Sequence, residues 1–478
     1  MEPELATLID LALAQGADYA EARYQSDSYE SSLLRNGVPE VSSFESRRGV
    51  AVRVLAGGGL GFGATGSLAK GDLRAMVGRT VRSAKAAAGL RKEPIRMGEA
   101  EMATGYAEKR PRVKFGDVEL EDRIALLKEA DSSAMEAAKR SGVKLVGRQL
   151  SLDVFTTEKY IVNSDGADFR SKVPRVEVDV MLTAAEAAKG SGQRSFSIGE
   201  SGGWEAVERW DLPSKLDREA ATLGEILLTA VPFDGGNMDV VLGPEVVGIV
   251  SHESAGHPAE ADRMLGREAA QAGETYLGQE DAGRKIGSEV VNVVDDPTLD
   301  RSFGFYLSDD EGVKARRRYL IKEGLANELL HDRETAYRMG AASNGSSRAV
   351  AYYREPIVRM ANTFVEPKDH SVGELIEGVR RGAYIKNFME WNIDDRRYNQ
   401  RYVGLEAYLI ENGKLGPRLK NPVLEISTPA LWSAVDAVGK DVEFAAAHCG
   451  KGDPMQAIPV WTGGPHMRLR NIRLGGSK

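Results

Sequence analysis

One short stretch, Ser251-His-Glu-Ser-Ala-Gly-His-Pro258, constrains the fold of this chain more than any other. It contains His252 and His257, two of only six histidines, and Glu253 directly follows the first of them. The residues just before it, Val246 to Val250, are apolar at almost every position, so a helix here has no polar face to turn towards water. The pattern predicts a buried helix that carries both histidines into the interior.

The spacing of the two histidines restricts the shape of that helix. Zinc-binding helices of the H-E-x-x-H kind place both histidines on one face, and here the gap is one residue longer. Residues five apart on a regular α-helix lie about 140° apart and cannot bind one metal ion. A π-turn would bring His257 back beside His252, and such turns are frequent at functional sites. Pro258 fits a π-turn, but it also fits a kink or a helix end near His257. The sequence leaves both shapes open.

The residues around the histidine pair decide whether a metal site is a reasonable interpretation. Two histidines on a buried helix are more often structural than metal-binding, but a buried Glu253 is costly unless it has a partner or a chemical role. A catalytic zinc ion also needs a third protein ligand and one open position. Many carboxylates are available for this, and the nitrogen and sulfur candidates are His331, His370, His448, His466 and Cys449.

Charge and cysteine content exclude several classes of protein. The formal net charge of -8 argues against a nucleic-acid-binding surface. Cys449 is the single cysteine, so no intramolecular disulfide can form, as expected in a reducing compartment. Residues 1–15 lack the basic start and apolar run of a signal peptide, and no stretch approaches the ~20 apolar residues of a membrane span. We therefore expect a cytoplasmic protein that binds neither nucleic acid nor membrane.

The length of 478 residues predicts at least two domains. The first part alternates helical spacing with strand-like alternation, and Pro232-Phe-Asp-Gly-Gly236 marks the boundary. After a helix at about 244–266, strand signals dominate. We predict an α+β protein with an N-terminal α/β sheet domain (1–232) and a predominantly β C-terminal domain (233–478) that carries the buried metal-site helix.

Two local patterns support specific turns. Gly61-x-Gly63-x-x-Gly66 follows a strand and formally matches a dinucleotide-binding loop. Such a loop leads directly into a helix, whereas here Ser67 to Asp72 separate it from the next helical pattern. We therefore expect a glycine-rich hairpin instead. Tyr319-Leu-Ile-Lys-Glu-Gly324 is echoed by Tyr408-Leu-Ile-Glu-Asn-Gly413. Each predicts a strand that enters a tight turn.

Taken together, the motifs resemble the TldD side of the TldD/PmbA family of metallopeptidases. The resemblance covers the second half nearly throughout and the first half more loosely. The resemblance rests on six motifs: His252-Glu253-x-x-x-His257, Val293-Val-Asp-Asp296, Asp309-Asp-Glu-Gly312, Arg359-Met-Ala-Asn-Thr363, Glu406-Ala-Tyr-Leu-Ile-Glu-Asn-Gly413 and Cys449-Gly-Lys-Gly. Many relatives have glycine directly after the second histidine, whereas this chain has Pro258.

The resemblance implies a zinc-dependent endopeptidase. His252, His257 and Cys449 would bind one zinc ion per chain, and Glu253 would be the general base that activates water for the attack on a peptide bond. Without the resemblance, a lone cysteine is usually a small buried hydrophobe. His448, its neighbour, would point to the opposite face of a strand.

The resemblance also implies partners. It suggests a dimer, either of like subunits or with a PmbA (TldE)-type subunit, around a narrow interior site that admits unfolded or extended peptides, including leader peptides and small antitoxins. The alternative is a non-catalytic peptide-binding or assembly subunit, which captures extended segments on its sheet edges and needs a PmbA-type partner for activity. A redox sensor at Cys449 is disfavoured because the chain has no resolving cysteine.

Overall fold

The structure is a computed structural model that describes residues 4–268 and 272–476. In the first half the helices are α1 (Leu5–Ala14), α2 (Lys70–Ala88), α3 (Leu120–Arg140), α4 (Glu205–Trp210) and α5 (Leu212–Thr229). The strands of the first half are β1 (Tyr19–Arg35), β2 (Val38–Ala56), β3 (Gly59–Thr65), β4 (Thr104–Glu108), β5 (Lys144–Asn163), β6 (Asp168–Glu186) and β7 (Gly190–Ser201).

In the second half the α-helices are α6 (Pro244–Ser251), α7 (Ala261–Met264), α8 (Arg333–Arg338), α9 (Val372–Glu377) and α10 (Thr428–Ala434). Its strands are β8 (Gly236–Leu242), β9 (Val293–Asp295), β10 (Arg318–Lys322), β11 (Leu325–Ala326), β12 (Ser347–Arg348), β13 (Ile357–Val358), β14 (Asn362–Val365), β15 (Arg381–Ile385), β16 (Phe388–Ile393), β17 (Asn399–Gly404), β18 (Ala407–Glu411), β19 (Lys414–Arg418), β20 (Val423–Ser427), β21 (Val435–Val438), β22 (Glu443–Lys451), β23 (Gln456–Gly464) and β24 (Met467–Gly475). The fold is mixed α/β with a mostly β second half, as the sequence predicts.

Within the described residues, the first seven strands form one sheet in the order β3-β2-β1-β5-β6-β4, and β7 also pairs with β6. Strand β5 has 20 residues, which extend over about 66 Å, and after a register shift between Leu145 and Gly147 its even-numbered side chains share one face. At one end of that face Tyr160 and Val162 pack with α1 and α2, and at the other Leu150 and Leu152 pack with α3 and α5. One long sheet therefore buries two helix pairs side by side.

The glycine-rich segment is the hairpin that the sequence predicts. Strands β2 and β3 pair directly, and Gly57 and Gly58 form the turn with φ of +60° and +79°. A Cβ on Gly61 would overlap the backbone carbonyl of Thr80 on α2. Gly61 therefore allows the strand to pack closely against α2, and the segment is a hairpin rather than a dinucleotide-binding loop.

The two echoed segments are also hairpins with matching turns. β10 pairs with β11 across Glu323 and Gly324, and β18 pairs with β19 across Asn412 and Gly413. The φ values are +50° and +76° in the first turn and +49° and +75° in the second. Positive φ at both central residues is the signature of a type I′ turn, so the sequence echo reflects shared turn chemistry.

The second half holds α6 between two larger sheets. Among the described strands, one sheet runs β11-β10-β9-β14-β23-β22, and the other runs β16-β17-β20-β24-β8-β15-β18-β19 with β21 beside β24. Helix α6 packs on β14, β22 and β23, while Val246, Val247 and Val250 join the core of the larger sheet. Burial on both sides explains why this helix is apolar almost all round.

The two halves meet through buried ion pairs. Arg53 on β2 pairs with Glu311, and Lys159 on β5 donates to Asp310 at 2.7 Å. The motif Asp309-Asp-Glu-Gly312 therefore lies where the first sheet packs on the second half. The division into domains at 232/233 stays a prediction. Of the helices in the described parts of the chain, none combines the length and the apolar character that crossing a membrane requires.

Candidate metal centre

The segment that carries the histidines, predicted as a helix at about 244–266, is not one continuous α-helix. α6 ends at Ser251, a π-helical turn covers His252–Gly256, a 3-10 turn covers His257–Ala259, and α7 follows from Ala261. The backbone N–H of His257 donates to the carbonyl of His252, five residues back. The chain then leaves the helical region at Glu260, where ψ is +111°. Both shapes that the sequence left open therefore occur, one after the other, around Pro258.

The π-turn brings the two imidazoles together. The ring centroids of His252 and His257 are 4.8 Å apart, and the ring planes are nearly perpendicular, at 81°. Gly256 makes this turn possible, because a Cβ on it would overlap Sδ of the buried Met360. The backbone at Gly256 is ordinary right-handed helix, with φ -63° and ψ -63°, so the requirement for glycine comes from packing alone.

Cys449 reaches the histidines from the far end of the chain. It lies on β22, and its Sγ is 3.7 Å from Nε2 of His257. One ligand atom from each of His252, His257 and Cys449 can be chosen so that all three lie within 4.8 Å of one another, and all three residues are buried. In the described residues this is the one group of three His, Cys, Asp or Glu side chains with such an arrangement.

The other histidines lie elsewhere. His448 points to the opposite face of β22 from Cys449, as its strand position predicts, and its Nε2 is 2.7 Å from Glu177 of the first sheet. His331 contacts the hydroxyl of Thr335, while His370 and His466 contact the Val438 carbonyl and the Tyr384 hydroxyl, respectively. None of these four side chains belongs to the cluster.

The donor set fits a zinc ion. Two imidazoles and one thiolate are ligands that zinc prefers, and three protein ligands leave a fourth position open. Tetrahedral bonds of about 2.0–2.3 Å hold ligand atoms about 3.3–3.8 Å apart, so the cluster would contract only slightly around the ion. Nδ1 of the buried His252 has no hydrogen-bond partner among the described residues, which is costly in a site that holds nothing.

Burial also sets the protonation states that binding requires. It lowers the pKa of His252, and burial together with the nearby Arg397 lowers the pKa of His257 to about 4. Burial alone would raise the pKa of Cys449, but His257 and Arg359 outweigh it and lower that pKa to about 7. Neutral imidazoles and an accessible thiolate are the ligating forms near neutral pH.

Glu253 faces the cluster and is held by an arginine that the sequence did not reveal. Its Oε2 forms an ion pair with Nη1 of Arg397, and both residues are buried. Arg397 lies in the turn between β16 and β17, where its φ is +60°, and its Nη2 donates to the carbonyl of Ala272 at 3.3 Å. No local pattern links residues 144 positions apart, so only the fold could identify this partner.

A buried polar group orients His257 from behind. Oε2 of Glu260 lies 2.9 Å from Nδ1 of His257, 2.6 Å from Nε of Arg263 and 3.3 Å from Nζ of Lys451. A proton on Nδ1 directed at this carboxylate leaves Nε2 free towards Cys449. Lys451 is two residues after Cys449 and also donates to Asp262 at 2.8 Å, so it ties the cysteine strand to the histidine segment. The Cys-Gly-Lys motif was a signal for this lysine, but its role was not predicted.

The cluster opens into a cavity of about 480 Å³ between the two halves. His252, Glu253, His257 and Cys449 line one wall, while Arg194 and Phe196 are among the β7 residues that line another. Arg194 makes two hydrogen bonds of 2.8 Å to Glu245 in the first turn of α6, so the first half is fastened to the metal-site helix.

Comparison with known proteins points to one family. Its three models, described as PmbA/TldA metallopeptidase domain 1, central domain and C-terminal domain, match residues 20–88, 113–228 and 235–476. A protein of Methanothermobacter thermautotrophicus named metalloprotease is 32% identical over 463 residues, which are 96% of each chain. A protein of Saccharolobus solfataricus named zinc metalloprotease TldD homolog is 32% identical over 244 residues, 50% of this chain and 52% of that protein. The crystal structure of TldE from Thermococcus kodakarensis superposes with a TM-score of 0.73 over 98% of this chain and 99% of that one, at 17% identity, and thus has the same fold.

Proposed function

This chain belongs to the PmbA/TldA metallopeptidase family, and from that premise we propose that it is a zinc-dependent endopeptidase acting on unfolded or extended peptides. The observation that carries the proposal is the convergence of His252, His257 and Cys449 beside Glu253 in one cavity. Residues that are nearly 200 positions apart meet there with the donor set of a catalytic zinc site.

In this proposal, His252, His257 and Cys449 bind one zinc ion per chain. When bound, zinc supplies Lewis-acid chemistry, since it polarises a peptide carbonyl and makes a water molecule more acidic. The two imidazole rings lie nearly perpendicular to each other. The Glu260 carboxylate behind His257 would hold that ring in place for the ion.

Glu253 is the proposed general base. Its carboxylate takes a proton from the attacking water at Oε1 or Oε2 and later delivers that proton to the nitrogen of the leaving amine. Arg397 fixes the carboxylate through the buried ion pair, so the base is positioned before substrate binds. A carboxylate that was free to rotate would spend part of its time out of reach of the water.

The walls of the cavity favour an extended substrate. β22 is the outermost strand of its sheet and β7 pairs only with β6 in the described structure, and both strands line the cavity. An edge strand offers unpaired backbone N–H and C=O groups, to which an extended peptide can add as a further strand. Most of the backbone of a folded domain is already paired, so this mode of binding favours unfolded or extended segments.

The proposed assembly is a dimer, either of two copies or with a TldE-type subunit. The shared fold with TldE supports a partner of that type. Activity of this chain should therefore be assayed both alone and after co-expression with a TldE-type protein.

The test combines metal content with cleavage. We expect about one zinc per purified wild-type chain, metal loss in Cys449→Ser, and full metal content without cleavage in Glu253→Gln. His448→Gln is the control, because this neighbour of Cys449 faces the other side of β22 and should keep its metal.

Two results would oppose the proposal. A zinc-loaded protein that cleaves no unfolded peptide, alone or with the TldE-type subunit, is not an endopeptidase. If peptides bind with the same affinity in chelator and in Glu253→Gln, and none is cleaved, the non-catalytic peptide-binding subunit is the better description.

A further inference from the structure

A second cavity lies on the other side of β22. It has a volume of about 330 Å³ and is lined by β1, β5 and β6 of the first half and by residues of the second half, among them Pro459 on β23. His448 on β22 lines both this cavity and the one at the metal centre. The two cavities are thus neighbours that share this histidine.

Two buried arginines line the second cavity. Arg175 on β6 is 6% exposed and donates to the carbonyls of Phe303 and Phe305, at 2.7 and 2.8 Å. Arg348 on β12 is 8% exposed and donates to the carbonyls of Met360 and Pro459, at 2.7 and 3.0 Å. Each guanidinium has five N–H groups, so each keeps donors beyond those that bind these carbonyls.

Neither arginine has an anionic partner within ion-pair distance in the described part of the chain. Throughout residues 4–268 and 272–476, no carboxylate oxygen lies within 4.0 Å of a guanidinium nitrogen of Arg175 or Arg348. The other cations around the cavity are paired, since Lys159 is 2.7 Å from Asp310 and Arg47 is 3.7 Å from Asp27. Burial and repulsion from the neighbouring Arg348 lower the pKa of Arg175 to about 9, and Asp27 offsets only part of this shift.

Asp27 favours the charged form of Arg175, and Asp310 that of Arg348, but neither carboxylate reaches ion-pair distance of these guanidiniums. Two buried cations without a direct anionic contact would gain from an anion that binds between them. The cavity walls also suit a planar anion, because Arg175 faces the ring of Phe155 and Arg348 faces that of Tyr306, at 5.9 and 5.0 Å from the ring centroids. Guanidinium groups that are fixed by carbonyls and aromatic rings present a rigid fork, which matches a carboxylate in two hydrogen bonds.

We propose that this cavity is a carboxylate-binding site for the peptide whose backbone lies at the neighbouring metal centre, with Arg175 and Arg348 as the residues that bind the anion. This proposal depends on the proposed function in one respect, because it takes the extended peptide substrate as the ligand. The carboxylate is either the C-terminus of the peptide or an acidic side chain. Such a site would favour peptides that place their C-terminus, or an acidic side chain, in this cavity.

The experiment measures binding rather than cleavage. A fluorescent unstructured peptide of about ten residues, which spans about 33 Å when extended, is made as a free acid, as a C-terminal amide, and as the amide with one internal Glu or the matching Gln. Affinities are measured by anisotropy in the presence of a chelator, so that neither zinc nor catalysis contributes. The carboxylate preference in binding tests this site, and the cleavage assay tests the peptidase. Either proposal can therefore fail without the other.

We expect a carboxylate-bearing peptide to bind about 10- to 100-fold more tightly than its neutral counterpart, as for a charged hydrogen bond of this kind. A difference between free acid and amide identifies the C-terminus as the ligand, and a difference between Glu and Gln identifies a side chain. The preference should vanish in Arg348→Met and Arg175→Met. It should persist in Arg333→Met, which also loses a buried guanidinium, but at a site where Arg333 pairs with Asp165.

Equal affinities for all four peptides, or a preference that survives in both Arg175→Met and Arg348→Met, would overturn the proposal. If those variants do not fold, a crystal of the wild-type protein with the tightest peptide decides the question. Its carboxylate oxygens should lie within hydrogen-bond distance of both guanidiniums, and a carboxylate found anywhere else refutes the site.

Discussion

Gly256→Ala tests whether the shape of the metal-site helix depends on packing. At this position the backbone is ordinary right-handed helix, so propensity alone predicts that alanine stabilises the protein by about 1 kcal/mol. The structure predicts the opposite sign. A Cβ on Gly256 would overlap Sδ of Met360 and lie only 3.2 Å from its Cγ and Cε, where carbon atoms prefer 3.5–4.0 Å.

Met360 cannot move aside easily. It is 0% exposed and packs in a cluster with Ala259, Val358 and Cys449. Overpacking costs about 1–3 kcal/mol, and this overlap with a buried sulfur belongs to the upper part of that range. After the gain of about 1 kcal/mol from helix propensity, we expect a net loss of about 1–2 kcal/mol in the free energy of unfolding. Because the clash pushes on the turn between the two histidines, zinc affinity should fall as well.

A double-mutant cycle separates packing from other effects. Urea unfolding is measured in chelator for wild type, Gly256→Ala, Met360→Ala and the double variant. Met360→Ala alone should cost about 2–5 kcal/mol, and in that background Gly256→Ala should become neutral or stabilising, which gives a coupling of about 1–3 kcal/mol. Gly71→Ala in α2 is the control, because its Cβ would meet nothing within 4 Å. A Gly256→Ala protein as stable as wild type, or the same cost in both backgrounds, would refute the reasoning.

Three further predictions concern other buried groups. Lys451 is 1% exposed, so Lys451→Met should destabilise the chelated protein by about 3–5 kcal/mol in urea and weaken zinc binding about 10- to 100-fold in competition titrations; unchanged values would contradict its bridging role. Arg397→Met should keep its zinc but lower kcat by about 10- to 100-fold, because the carboxylate of Glu253 loses its fixed position; full activity of this variant would argue against positioning. Arg401→Met, at a half-buried arginine that pairs with Glu390, is the control and should have no effect. Burial lowers the pKa of His331 from 6.5 to about 4, so the unfolded chain binds a proton in that range and the folded chain does not. The free energy of unfolding should therefore fall by up to about 3 kcal/mol as pH drops from 6.5 to 4. The drop should be smaller in His331→Gln, and an identical pH dependence in both proteins would contradict the assignment.

Local features of this molecule were readable in the sequence because neighbouring residues create them. The apolar run before His252 predicts a buried helix, and the structure places α6 between two sheets. The pairs Glu323-Gly324 and Asn412-Gly413 predict tight turns, and both have positive φ at the two central residues. Alternation along β22 predicts that His448 and Cys449 face opposite ways. Each of these depends on a few consecutive residues.

Features that depend on distant contacts were not readable in the same way. The sequence left the choice between a π-turn and a kink open, since Pro258 is compatible with both, and Met360 is the neighbour against which Gly256 fits. Arg397 and Lys451 were not predicted as partners of Glu253 and Glu260, because periodicity carries no information about contacts more than 100 residues away. The ligand set that we propose entered the sequence analysis only through resemblance to a family.

The sequence by itself therefore determined which residue types are available and where the chain turns. It determined the apolar helix, the histidine pair and the single cysteine. The tertiary structure decided that Sγ of Cys449 on β22 lies 3.7 Å from Nε2 of His257, that an arginine holds Glu253, and that two arginines without an ion pair among the described residues line a second cavity. The physical reason is that hydrogen bonds and ion pairs act over a few ångströms, whereas the residues that form this site are separated by most of the second half of the chain.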